Sequence, residues 1–100
     1  MLKKEIKGIK GIKYMDCLQI TDDVLQLLIK FYNMNHEVKG RLSFYTYDKL
    51  LDKISKPPTR VTKQYNGYLL LWRFTRCTFL TLEIYNDKPI EFRYCNMGYH

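Results

Sequence analysis

The sequence contains no alanine and is poor in the residues that usually signal catalysis or metal binding. It has 2 His, His36 and His100, and 3 Cys, Cys17, Cys77 and Cys95, with no C-x-x-C spacing among them. Cys95 and His100 offer two ligands where a zinc site needs three or four. No Cys–His or Ser–His–Asp set is legible. The expectation is a chain with no enzymatic activity and no cofactor. An odd number of thiols without an apolar secretory segment fits reduced cysteines in the cytoplasm. A bridge between Cys77 and Cys95 stays open, because spacing alone does not fix one. No apolar run approaches the roughly 20 residues of a membrane span, so no membrane partner is expected. Lys, Ile, Leu, Tyr and Asn fill the place of alanine. That bias fits AT-rich codon usage, as in viruses and mobile elements, and for a viral protein the compartment is the host cytoplasm.

What is present is charge of one sign and aromatic side chains. There are 17 Lys+Arg against 10 Asp+Glu, a net charge of +7. Such an excess favours a polyanionic partner, namely nucleic acid or an acidic protein surface. An apolar content of 46% supports a packed core, and 100 residues fit a single small basic domain, 1–100. The core of so short a chain is modest, and burial against a partner or a second copy would add to it.

Residues 2–14, LKKEIKGIKGIKY, read as a flexible basic arm (1–14), since Gly8 and Gly11 each cost a helix about 1 kcal/mol. Tyr14 to Ile20 reads as a short strand. Thr21-Asp22-Asp23 caps and charges the start of a helix over about 22–35, whose stripe is Val24, Leu27, Leu28, Phe31 and Met34. Residues 42–45 read as a brief strand. A second helix spans about 47–54, with Thr46 as cap and Leu50, Leu51 and Ile54 inward, and Pro57 and Pro58 stop it.

From Thr59 onward the period is two. Tyr68, Leu70, Trp72 and Phe74 form an unbroken apolar row, whereas Leu69 and Leu71 give way to Arg73 on the other side. That is a central strand. Asn66-Gly67 is a two-residue hairpin signal. It pairs Val61 with Trp72, Lys63 with Leu70, Thr62 with Leu71 and Arg60 with Arg73. Lys63 then becomes an inward charge on an edge strand, a device against edge-to-edge aggregation. Thr75-Arg76-Cys77 connects to a strand over about 78–85, although it lacks Gly and Pro. A three-residue loop within Asn86-Asp87-Lys88-Pro89 sets Ile84 opposite Ile90, Leu82 opposite Phe92 and Leu80 opposite Tyr94. Glu83 then faces Glu91, with Arg93 diagonal to relieve the repulsion.

The fold class that follows is α+β: an antiparallel β-meander of three to four strands over about 60–95, packed with the two helices. The alternative is a winged helix-turn-helix. There residues 59–65 are a recognition helix with Val61 inward, and Arg73–Arg76 tip the wing.

Two functions follow. In the first, a non-enzymatic nucleic-acid-binding protein contacts DNA or RNA phosphates through Lys56, Arg60, Lys63, Arg73 and Arg76, with affinity that falls steeply as salt rises. Arginines forced side by side are most readily neutralised by an anion. Tyr45, Tyr47, Tyr65 and Tyr68 are the candidates for stacking on bases. In the second, a protein-interaction module, an inhibitor, adaptor or homodimer, docks through Leu69, Leu71 and Phe79 on the sheet face that faces water.

Overall fold

The computed structural model describes residues 12–36 and 45–96. It contains helices α1 (Ile12–Asp16), α2 (Asp22–His36) and α3 (Tyr47–Ile54), followed by strands β1 (Arg60–Gln64), β2 (Gly67–Arg73), β3 (Thr78–Tyr85) and β4 (Lys88–Asn96). The strands form one antiparallel sheet in the order β1-β2-β3-β4. The fold is therefore α+β, with a meander as the alternating pattern requires. Arg60–Gln64 is a strand where the winged reading has its recognition helix. The basic arm up to residue 11 and residues 42–44 of the brief strand lie outside the described residues; residues 12–14 of the arm open α1, and Tyr45 belongs to no strand.

Local chemistry explains the helices. The Thr21 hydroxyl accepts from the Val24 N–H at 3.4 Å, and Asp22 and Asp23 occupy the first turn of α2. In α3 the Thr46 hydroxyl accepts from the Lys49 N–H at 3.1 Å. Each cap satisfies an amide that lacks a partner inside its helix. Of the α2 stripe, Val24, Leu28 and Phe31 are buried, whereas Met34 is 60% exposed and borders a cleft between α2 and β4. In α3, Leu50 and Ile54 are fully buried and Leu51 is half-buried. The segment from Tyr14 is helical at its start rather than a strand. Tyr14, inside this helix, and Leu18, past its end at Asp16, are both buried.

Every sheet residue of the core cluster belongs to one face. Tyr68, Leu70 and Trp72 of β2, Leu80, Leu82 and Ile84 of β3, and Phe92 of β4 pack against Leu28, Phe31, Leu50 and Ile54 of the helices. Trp72, 1% exposed, donates its indole N–H to the Lys56 carbonyl at 2.9 Å, which ties the chain after α3 to the sheet. The Thr59 amide donates to the Leu71 carbonyl at 2.6 Å, so β1 enters the sheet straight after the prolines. Burial raises the Tyr14 phenol above its ordinary value, and the charge and hydrogen bond of Asp87 add to this. No helix among the described residues is long and apolar enough to cross a membrane.

Two turns differ from the sequence expectation. At the first hairpin the turn residues are Tyr65-Asn66, and Gly67 belongs to β2 opposite Gln64. Asn66 takes the left-handed conformation (φ 58°). Gly67 is needed in the strand, because a Cβ there would lie inside the Ile84 carbonyl of β3. The pairing therefore moves by two residues. Arg60 faces Leu71 rather than Arg73, Val61 faces Leu70 rather than Trp72, Thr62 faces Leu69 rather than Leu71, and Lys63 faces Tyr68 rather than Leu70. A shift of two leaves each side chain on its expected face. At the second hairpin Asn86 and Asp87, with φ of 54° and 63°, form a two-residue turn. Ile84 consequently pairs with Pro89, not Ile90. Ile90 is the extra residue of a β-bulge, 43% exposed, and beyond it Leu82–Phe92 and Leu80–Tyr94 pair as expected.

Candidate interaction face of the sheet

Because a strand alternates its side chains, the residues between the core positions share the opposite face. The ladder orders them in rows across the sheet. One row is Thr62, Leu69, Glu83 and Glu91; the next is Arg60, Leu71, Thr81 and Arg93; a third is Arg73, Phe79 and Cys95. Tyr85, 42% exposed, lies beyond Glu83 on the same face. None of these residues belongs to the core cluster, and all the helical core residues lie on the other side. Yet Leu69, Leu71 and Phe79 are half-buried, and Thr81 is only 5% exposed. The result is a contiguous apolar centre over β2 and β3 with charged residues around it.

The charges divide by position along the strands. Glu83 and Glu91 face each other at one end, as the register requires. Arg93 donates to Glu91 at 3.2 Å, an ion pair between exposed side chains and so weak in energy. Arg60, Arg73 and Arg93 occupy the other half. Arg73 stands over the ring of its cross-strand partner Phe79, 5.6 Å from guanidinium carbon to centroid. Arg76 is exposed in the loop between β2 and β3. Thr75 shapes that loop: its hydroxyl accepts from the Cys77 and Thr78 amides, each at 3.2 Å, where no glycine or proline is present.

The basic residues singled out by the sequence are thus only partly brought together. Arg60 and Arg73 share the open face, diagonal to one another rather than opposed, and Arg76 continues from Arg73. Lys63 lies on the core side at the sheet edge, with its ammonium 5.2 Å from the Tyr68 ring centroid. Lys56 pairs with Asp52 at 3.0 Å, one helical turn back. Of the four tyrosines, Tyr65 is 86% exposed at the hairpin tip, Tyr45 and Tyr47 are half-buried, and Tyr68 is buried beneath α1, its ring 5.5 Å from that of Tyr14. The second set of residues is brought together: Leu69, Leu71 and Phe79 lie side by side on the open face. Thr81, Tyr85 and Arg93 join them there and were not among the candidates. The alternation that placed Glu83 and Glu91 on this face also places these three.

The cysteines are free thiols, Cys17 exposed and Cys77 and Cys95 half-buried. Among the described residues no group of three His, Cys, Asp or Glu side chains is placed to hold a metal ion. A cleft of about 510 Å³ between α2 and β4 is lined by Phe31, Met34 and Phe92 and by the charged Lys30, Glu91 and Arg93, a set without a nucleophile–base pair. No family model matches this chain, and neither a curated protein nor a solved structure is similar to it.

Proposed function

We propose that this chain is a non-enzymatic protein-interaction module that docks its partner on the open face of the sheet. One observation carries the reading. Leu69, Leu71 and Phe79 are contiguous apolar side chains outside the core cluster, with charges on both flanks. A contiguous apolar patch with a charged rim is the anatomy of a protein interface. The alanine-free, AT-biased composition supports an origin in a virus or mobile element.

The test is carbene footprinting of the dilute chain, which labels apolar side chains that solvent reaches. Leu69, Leu71 and Phe79 are expected to label well above Leu70, Leu80 and Leu82, which are fully buried. If Leu69, Leu71 and Phe79 stay as dark as the core, the face is internal and the reading is wrong.

A second reading is nucleic-acid binding by the basic half of the same face. The net charge of +7 and the Arg73 guanidinium stacked over Phe79 favour it, with Arg60 and Arg76 as further phosphate contacts. Glu83 and Glu91 on that face oppose it. Fluorescence anisotropy at low salt decides: the Arg60→Glu, Arg73→Glu double variant is expected to lose at least tenfold in affinity with its fold unchanged. A parent chain that binds neither DNA nor RNA rules this reading out.

A further inference from the structure

The partner that best fits the open face is a second copy of the same chain; this inference rests on the docking reading above. We infer that two chains stack open face to open face about a two-fold axis that runs across the strands, between the row of Leu69 and the row of Leu71. The argument is one of register. Such an axis reverses strand direction and lays each row over its mirror row. Leu71 then lies over the second copy's Leu69, and Arg93 over its Glu91. Thr81, whose hydroxyl donates to the Arg93 carbonyl at 3.5 Å within its own sheet, lies over Glu83. One row further out, Phe79 lies over Tyr85. Each contact occurs twice, as a two-fold interface demands. Aligned sheets pack about 10 Å apart with their side chains interdigitated, which suits this half-buried apolar centre.

The other in-plane axis, along the strands, fails. It sets Arg60 over Arg93 and leaves Leu69 against Glu83. The crosswise axis instead matches Arg93 with Glu91 and Leu71 with Leu69, and it sets Arg60 over Thr62 and Lys88 over Cys95, so no like charges meet. The Glu91 row and the Arg93 row are therefore complementary under this axis. Four strands about 4.8 Å apart and seven residues long give a face of roughly 19 by 23 Å. Two such faces present roughly 900 Å², within the range of weak, transient interfaces below about 1,200 Å². The dimer is accordingly a concentration-dependent one.

Sedimentation equilibrium on the full chain from about 1 μM to about 1 mM tests it. The expected result is a mass that climbs from 12.1 kDa toward double. Glu91→Arg alone sets like charges against Arg93 across the interface, and Arg93→Glu alone sets them against Glu91. Each is expected to weaken the dimer at least tenfold. An equimolar mixture of the two variants is expected to restore association as a heterodimer, which a merely structural role for these exposed residues would not produce. A parent chain monomeric over the whole range, or single variants that dimerise as tightly as the parent, would overturn the inference. The footprint separates the two levels. A monomer whose Leu69, Leu71 and Phe79 label strongly keeps the docking face and loses only the second copy. A face that is dark in dilute solution removes both.

Discussion

Gly67→Ala is expected to destabilise the protein by more than about 3 kcal/mol, a large share of the roughly 5–15 kcal/mol that holds a small domain folded. The smallest side chain is enough, because its Cβ would fall inside the Ile84 carbonyl oxygen, with the Ile84 carbonyl carbon at 2.9 Å and the Tyr85 Cα at 3.1 Å. These are backbone atoms. They belong to β3, which is hydrogen-bonded to β2 on one side and β4 on the other, so they have nowhere to withdraw. Ile84 also lies at the β-bulge and contributes a buried side chain to the core. Asn66→Ala, one residue earlier, asks only that an alanine take the left-handed conformation, a cost of about 1–2 kcal/mol. Urea denaturation of the two variants separates these mechanisms. A Gly67→Ala variant within about 1 kcal/mol of the parent would contradict the close approach of β2 and β3.

That glycine also shows where sequence reading reaches its limit. Asn-Gly between two tyrosines is a turn signal on local grounds, and the turn is indeed there, one residue earlier. Nothing local to the hairpin reveals that the glycine is claimed by a third strand. The faces survived the error because the pairing moved by two residues. The Arg60–Arg73 pairing did not, and with it went the argument that two arginines are forced together. The second hairpin behaves alike: Asn86-Asp87 closes a two-residue turn, and the bulge at Ile90 restores the register that Leu82–Phe92 and Leu80–Tyr94 demand. Core alternation was legible because it repeats along three strands; a bulge was not, because it cancels one error with another. The Thr21 and Thr46 caps were legible since capping is local. The loop after β2 was opaque because a threonine hydroxyl does there what glycine or proline does elsewhere. As for the site, the patch of Leu69, Leu71 and Phe79 followed from alternation alone. The roles of Thr81, Tyr85 and Arg93 needed the neighbouring strands to be in place.

Neighbouring leucines on β2 carry the second large effect. Leu70→Glu is expected to unfold the protein. Leu70 is fully buried between Val61 and Leu82, and a carboxylate there is cut off from water. Burial of an unpaired charge exceeds about 4 kcal/mol, near the whole stability of such a domain. Leu71→Glu places the same side chain one residue on, on the open face, directly across from Arg60. It is expected to change stability by less than about 1 kcal/mol in dilute solution. The central claim is that one face of this sheet builds the core and the other is kept for a partner. The thermal melt of these two variants, side by side at low concentration, tests it most directly. The account predicts that Leu70→Glu shows no cooperative transition and that Leu71→Glu melts with the parent. A Leu71→Glu variant that unfolds like Leu70→Glu would show both faces to be internal and contradict it.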